Sequence, residues 1–185
     1  LHPRVRRQRQ MCIRDRGSLS NFAGGILILI LKPFVVGDYV SACGCEGTVA
    51  VISLFYTTLH TVDNRNVVLP NGSLSNSNIT NYSANEIRRV DMSVDVGYGS
   101  DLKKAREVIM DILNQDERIL KDPAPIVAVD NLGDSGVNVL IRPWVKCEDY
   151  WAVKWSVLEA VHNRLNAEQI DIPFPQMTVH LDQNS

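Results

Sequence analysis

The sequence predicts an α+β protein that consists of a short N-terminal helix, a small all-β unit and an α/β unit. Three observations carry this prediction. An apolar stretch with helical spacing ends at a proline, short β-branched segments separated by turn residues follow it, and the rest of the chain alternates between strand and helix periodicity. The 185 residues, 45% hydrophobic and 22% charged, are typical of a folded protein with one or two small domains.

Residues 1–16 differ in composition from everything that follows. They contain six arginines and one acidic residue, and they lack the apolar core of a signal peptide. We interpret them as a non-native segment of translated adapter sequence, in which MCIRDR is the diagnostic piece, so that the natural protein would begin upstream. The alternative is an arginine-rich arm for lipid head groups or RNA. The other residues carry 13 basic and 20 acidic side chains, which does not favour a nucleic-acid-binding surface.

The predicted helix covers residues 17–32. Its bulky side chains make one stripe at spacings of three and four residues: Leu19, Phe22, Ile26 and Leu29. Another face begins with small residues: Gly17, Asn21, Gly24 and Ile28. Pro33 stops the helix because proline lacks an N–H and disfavours helical geometry in the residue before it. The apolar run is about 22 Å long as a helix, which is too short to cross a bilayer alone.

Gly24 and Gly25 are unusual inside a helix. Each costs about 1 kcal/mol relative to alanine there, so helix stability alone does not explain them. They indicate either a bend or a tight packing contact. By composition the stretch fits both a buried amphipathic helix and an interfacial helix on a membrane surface.

Residues 33–83 are predicted to form the all-β unit, a small five-stranded barrel. The strands are assigned to DYVSAC, GTVAVISL, TTLHTV, NVVLP and a last segment around residues 79–82. Gly37-Asp38, Gly44 and residues 63–66 supply the intervening turns. Pro70-Asn71-Gly72 begins a polar segment that fits a turn or a short helix.

Residues 84–175 are predicted to form the α/β unit. VDMSVDVGY alternates as a strand, Ser100 or Asp101 caps a helix, and two further strands pair through a hairpin at residues 133–136. A second helix from about Asp149 to Asn166 precedes a closing strand, MTVHL, within residues 176–185. This order, β-α-β-β-α-β, is the ferredoxin-like split motif, which serves many functions and by itself indicates none.

The chemistry-bearing residues do not form a catalytic or metal-binding pattern. The cysteines are Cys12, Cys43, Cys45 and Cys147, and their spacing does not complete a tetrahedral zinc site. Asp130 with Asp134, or His60 near Asp63, would be the candidate acid and base, but turn carboxylates are usually solvated and no nucleophile motif accompanies the histidines. We therefore expect no enzymatic activity and no cofactor or metal.

Four motifs occur in the order found in one family of membrane channels. They are GSLSNFAGGILILILKPFVVGDYV, then GTV with TTLHTVDNRNVVLPNG, then NYS, and finally IDIPFPQMTVHL. Together they resemble the small-conductance mechanosensitive channel (MscS-like) family from Gly17 to about Leu181. No single motif would be specific, but the ordered set is.

The resemblance implies a fold and a function. The helix would be the end of a pore-lining membrane helix that continues along the cytoplasmic membrane surface, followed by an Sm-like β domain and an α/β domain. Copies of the chain, in a homoheptamer, would form a pore above a hollow cytoplasmic cage. The channel would open under membrane tension and release ions and small osmolytes in hypo-osmotic shock, at a bacterial-type inner membrane with these residues on the cytoplasmic side. Its partners would be itself, membrane lipid and the permeating solutes, without nucleic acid.

The resemblance also assigns residue roles. Gly17 matches a kink glycine and Gly25 a second hinge. Helix packing and coupling to tension would involve Leu19, Asn21, Phe22, Gly24 and Ile26. Pro33 would stop the helix. The strand of a small barrel at the base of the cage would contain Met177, Val179 and Leu181.

Two departures from the family pattern accompany this assignment. The pore-sealing part of the helix belongs before Gly17, where this chain has RRQRQMCIRDR, and the tension-sensing helices are not in the sequence. Val35 stands where several family members have a basic residue.

The alternative function is a soluble Sm-like and ferredoxin-like module that binds RNA or another ligand. Arg65 is the only strong base among residues 36–83, which disfavours RNA.

Overall fold

The computed structural model describes residues 4–177, with side chains from residue 17 onward. The chain divides into two compact units, residues 1–85 and 86–185. Each unit has its own hydrophobic core. Helices and antiparallel strands are present in both, and the predicted α+β class is confirmed.

The first unit begins with helix α1, Arg4–Leu31, which is 28 residues long. It is longer than the predicted helix of residues 17–32, since it extends into the arginine-rich residues before Gly17. Arginine, glutamine and methionine have high helix propensity, and no proline follows Pro3 until Pro33. The helix ends at Leu31, and the Lys32 N–H donates to the carbonyl oxygen of Ile28 at 2.9 Å. Lys32 has a positive φ of 47°, the left-handed geometry that commonly terminates a helix.

Five strands follow α1 in the first unit. They are β1 Tyr39–Ala42, β2 Cys45–Ile52, β3 Tyr56–His60, β4 Asn66–Pro70 and β5 Ile79–Asn81, and the short helix α2 Asn71–Ser75 lies between the last two. All pairings are antiparallel, in the order β4-β3-β2-β1-β5. In the pairings of the described residues β4 and β5 are the outer strands and are not joined to each other.

The β1–β2 hairpin shows why these residues turn where they do. Cys43 and Gly44 have φ values of 52° and 76°, the two positive values that a two-residue type I′ turn requires. The turn sets Ala42 opposite Cys45 and so directs alternate side chains into the core. The buried core of this unit takes residues from α1, the turn after it, the strands and α2: Ile28, Phe34, Val40, Ala42, Val49, Leu59, Leu69 and Leu74.

The described part of the second unit, residues 86–177, contains two sheets and two long helices. In chain order its elements are β6 Ile87–Arg89, β7 Met92–Val96, α3 Leu102–Gln115, β8 Ile126–Leu132, β9 Val137–Arg142, β10 Trp144–Lys146, a 3₁₀ turn Cys147–Asp149 and α4 Tyr150–Ala167. The larger sheet has the order β7-β9-β8, and β10 pairs with β6. Asp101 caps α3, since its side chain accepts from the N–H groups of Lys103 and Lys104; this predicted cap is confirmed.

The predicted closing strand lies mostly outside the described residues. Residues 171–177 are not in a strand. They run beside β7 and the β8–β9 hairpin, where the Gly97 N–H donates to the Asp171 carbonyl at 2.9 Å and the Gln176 N–H to the Ser135 hydroxyl at 3.1 Å. Val179 and Leu181 are beyond the described range, so a strand there stays a prediction.

Candidate functional site: the packing face of helix α1

One face of α1 lies against α2 of the same chain. Gly24, Gly25 and Ile28 are buried on this face, and Asn21 is half-buried. The Gly72 N–H donates to the Asn21 side-chain oxygen at 3.0 Å. Because the first N–H groups of a helix have no partner within it, Asn21 satisfies a donor that α2 leaves open.

Glycines permit the close approach of the two helices. A Cβ at Gly24 would lie 2.5 Å from the Asn71 carbonyl oxygen. A Cβ at Gly25 would overlap the Leu54 carbonyl oxygen and lie 2.8 Å from the Asn71 side-chain nitrogen. From the other side, a Cβ at Gly72 would lie 2.7 Å from the Ser20 hydroxyl. The contacts at Gly24 and Gly25 are with backbone atoms, so these two positions require glycine, whereas at Gly72 the nearest atoms are the ends of the Ser20 and Asn21 side chains.

Hydrogen bonds of Asn71 hold α2 in its position against α1. It is fully buried, as is Thr57, whose hydroxyl donates to the Asn71 side-chain oxygen at 2.8 Å. The Asn71 side-chain nitrogen donates to the Ser53 carbonyl at 2.7 Å, and its backbone N–H donates to the Phe55 carbonyl at 2.9 Å. One buried amide therefore fixes α2, the β2–β3 turn and β3 relative to one another.

The surface of α1 outside this contact is largely apolar and exposed. Leu19 is 68% exposed and Ile30 71%, and the large exposed side chains of the helix also include Phe22, Leu27, Leu29 and Leu31. The Phe22 ring contacts Phe55, with a centroid separation of 6.0 Å. Ile26 is half-buried. The helix thus presents a bulky surface away from its tight contact.

The structure places the predicted hinge and stop residues as follows. Gly17 is exposed and has open space around its Cβ position, whereas Gly25 is in the tightest contact of the helix. α1 is continuous through both. Pro33 lies two residues past the helix end. Met177 is 86% exposed at the end of the described range.

The residues that the resemblance assigns to helix packing include Asn21 and Gly24, and in the structure α2 of the same chain covers both. The backbone of Asn71 and Gly72 can approach Gly24 closely because glycine has no side chain. The sequence showed the Pro70-Asn71-Gly72 turn, but nothing in it joined that turn to a helix about fifty residues earlier.

Two of the residues weighed as acid and base have partners in their own turn, and the other two are exposed. The His60 ring bonds to Asn64 at 2.8 Å, and Asp63 pairs with Arg65 at 2.7 Å. Hydrogen bonds from Thr61 and then Arg65 lower the pKa of Asp63 below its usual range, as expected for an ionised turn carboxylate. Asp130 and Asp134 are exposed.

The described residues show neither a metal-binding cluster nor a membrane-spanning helix. Among residues 17–177 no group of three or more histidine, cysteine, aspartate or glutamate side chains is placed to hold a metal ion. Among the described residues, Cys43, Cys45 and Cys147 are not joined in disulfides. In the part of the chain that the structure describes, no helix has both the length and the apolar content of a membrane span.

Protein-family models and known relatives match this chain over most of its length. Residues 17–84 match the family described as mechanosensitive ion channel, beta-domain, and residues 90–172 match mechanosensitive ion channel MscS, C-terminal. An uncharacterised MscS family protein of Synechocystis is 42% identical over 91% of this chain and 57% of its own length. The small-conductance mechanosensitive channel of Edwardsiella ictaluri is 40% identical over 91% of this chain and 59% of its own length.

A solved structure supports the same relationship. The crystal structure of Helicobacter pylori MscS in its closed state has a TM-score of 0.89 and 35% identity, over 95% of this chain and 70% of the other. The chain spans somewhat under three fifths of the curated relatives named above. With both family matches, the order of the motifs and the fold in agreement, the chain belongs to the MscS family of mechanosensitive ion channels.

Proposed function

We propose that this chain forms the end of the pore helix and the cytoplasmic cage of a mechanosensitive channel. The channel opens under membrane tension and releases ions and small solutes during hypo-osmotic shock. The observation that carries the proposal is the two-sided character of α1: glycines set one face on the β unit, while the other presents large apolar side chains. Such a helix can transmit movement from a membrane to a folded domain, because its glycine face is bound to the domain and its apolar face is suited to contact with lipid.

The proposal extends to assembly and location. Copies of the chain associate as a homo-oligomer, a heptamer by the family pattern, at a bacterial-type inner membrane with the two units on the cytoplasmic side. Lipid contacts the exposed face of α1, and Leu19 and Phe22 couple it to tension. Gly17 and Gly25 act as hinges. Met177, Val179 and Leu181 contribute a strand to the base of the cage.

An RNA-binding role has no comparable support. Arg65, the one arginine in the strand region of the first unit, is 2.7 Å from the Asp63 carboxylate, so its charge is already neutralised locally. Residues 36–83 contain no other arginine and no lysine that could bind a phosphate.

The experiment is electrical recording from the full-length protein encoded by the gene that contains these residues. Reconstituted in liposomes, it should give stepwise currents when suction stretches the patch, and it should protect a host strain without its own mechanosensitive channels from osmotic downshock. A matched protein that lacks residues 86–185 is the control for the cage. Absence of tension-dependent currents from the intact, correctly assembled protein would contradict the proposal.

A further inference from the structure

The turn between α1 and β1 is held by side chains as well as by its backbone. The Asn81 side-chain nitrogen, on β5, donates to the Pro33 carbonyl at 3.2 Å and to the Asp38 carboxylate at 2.8 Å. The same carboxylate oxygen of Asp38 accepts from the Val35 N–H at 2.9 Å. One amide and one carboxylate therefore connect both ends of the turn to β5. We call this pair the Asn81–Asp38 clamp.

The orientation of the Asn81 amide is set by its neighbours. Its side-chain oxygen accepts from the Ser83 N–H at 2.9 Å. Because Pro33 and Asp38 offer only acceptors and Ser83 offers a donor, the amide nitrogen must face the turn. The contact is therefore specific to an amide at position 81.

The backbone ties the same turn to β2. The Asp38 N–H donates to the Val35 carbonyl at 3.1 Å, and the Val49 N–H donates to the Asp38 carbonyl at 2.8 Å. Phe34 and Ile28, on the two sides of the helix end, are both 2% exposed in the core of the unit. Phe34 and Ile28 thus anchor the end of α1 in the apolar core. The Asn81–Asp38 clamp fixes the direction of the helix.

Pro33 cannot fix that direction by itself. Proline ends the helix, but it has no N–H to bond to the sheet, and Lys32 before it is exposed and already in a left-handed conformation. The direction in which α1 leaves the sheet depends on what holds the Pro33 carbonyl and the Val35 N–H. In the structure, Asn81 and Asp38 hold these two groups.

We propose that Asn81 and Asp38 are positioning residues that fix the end of α1 on the β sheet and thereby limit how far the helix swings during gating. The gating part rests on the function proposed above. The structural part does not, since it concerns the turn alone. Loosening the clamp frees the helix end without removing its apolar anchors.

The structural part is tested by amide hydrogen exchange on this chain, read at Val35. Asp38→Asn keeps the shape and one acceptor, and Asn81→Asp keeps the shape but sets two carboxylates against each other. Asn81→Asp should speed Val35 exchange about tenfold or more. Asp38→Asn alone can keep its side-chain oxygen toward both the Val35 N–H and the Asn81 amide, so it should leave Val35 exchange close to wild type. Thr80→Ala, an exposed change on the same strand, is the control and should leave Val35 unchanged.

If the side chains of Asn81 and Asp38 only fill space, a different ranking of the variants by Val35 exchange rate is expected. The near-isosteric Asn81→Asp would then have as little effect on Val35 exchange as Asp38→Asn. That result would overturn the clamp, and circular dichroism of the Asn81→Asp variant guards against loss of fold as the cause of faster exchange.

The gating part is tested in the full-length protein. Under sustained tension, the fraction of channels that become non-conducting should change in Asn81→Asp and stay close to wild type in Asp38→Asn. Altered exchange with unchanged gating would refute the positioning role while leaving the channel function intact. Absence of currents from the wild type would instead refute the proposed function.

Discussion

At the scale of single residues, two glycines in one helix have opposite surroundings. Gly17 is exposed, with nothing within 4 Å of a Cβ built on it. Gly25 lies against the Leu54 carbonyl and the Asn71 side chain. Helix propensity treats both alike, so packing alone separates them.

Gly25→Ala should therefore destabilise the first unit, whereas Gly17→Ala should stabilise it. The added methyl at position 25 forces the backbones apart, at a cost of about 1–3 kcal/mol. At position 17 alanine gains up to about 1 kcal/mol of helix propensity. Urea unfolding followed by circular dichroism measures both. Equal shifts in the same direction for the two variants would contradict the tight contact.

Thr57→Val tests the buried amide below that contact. The substitution leaves the Asn71 side-chain oxygen buried without the hydroxyl donor at 2.8 Å, which should cost about 1–3 kcal/mol of unfolding free energy. Thr57→Ser keeps the hydroxyl and should lose only about 1 kcal/mol for the missing methyl. Denaturant midpoints of the two variants give the comparison, and a valine variant as stable as the serine variant would refute the role of the bond.

At the scale of elements, Arg118 joins the end of α3 to α4. Its guanidinium donates to both Asp116 oxygens, at 2.9 and 2.6 Å, and to the Ser156 hydroxyl of α4 at 2.8 Å. These hydrogen bonds hold the pKa of Asp116 below its ordinary value of 3.8. The carboxylate thus favours the folded state when it is ionised.

Arg118→Met should lower stability at neutral pH and lose its effect in acid. The folded-state pKa of Asp116 is depressed, so its contribution is full above about pH 5 and disappears as the pH falls below 3.8 through the lowered value. The deficit should be about 1 kcal/mol or less, because solvent screens a guanidinium that is 39% exposed. Thermal unfolding from pH 7 to pH 3 measures it.

The control for this pair is Arg65→Met. Arg65 and Asp63 form an ion pair with side chains 74% and 55% exposed, and such pairs contribute little. A pH-independent deficit in Arg118→Met, or an equal one in Arg65→Met, would contradict the account.

Most elements could be predicted from local patterns. Asp101 before an apolar period of helical spacing gave the start of α3, and Gly44 between β-branched segments gave the first hairpin, because caps and turns depend on neighbours in sequence. The short pair β6–β10 was missed, since three-residue strands at Ile87–Arg89 and Trp144–Lys146 have too few residues to show a period.

The candidate site could be predicted only in part. Gly24 and Gly25 stood out because they oppose helix propensity, and tight packing was one of the two explanations. Their partner could not be found, since the contact of Gly24 with Asn71 joins positions far apart in the chain. The Asn81–Asp38 clamp was missed for the same reason, as its members are 43 residues apart.

At the scale of the whole molecule, residues 176–185 bear on assembly. We expect their deletion to lower the number of copies in the oligomer, because an alternating strand with open edges is stabilised by pairing with copies of itself. Light scattering of the intact and shortened chains in detergent measures the mass. Two unchanged masses, or a monomeric intact chain at high concentration, would contradict the base-barrel proposal.

The exposed face of α1 and the turn after it also determines how the protein must be handled. Five large apolar side chains within ten residues are between 48% and 72% exposed: Leu27, Ile30, Leu31, Val35 and Val36. Surfaces of this kind attract other apolar surfaces in water. We therefore expect the chain to self-associate in plain aqueous buffer and to need detergent or lipid to stay dispersed.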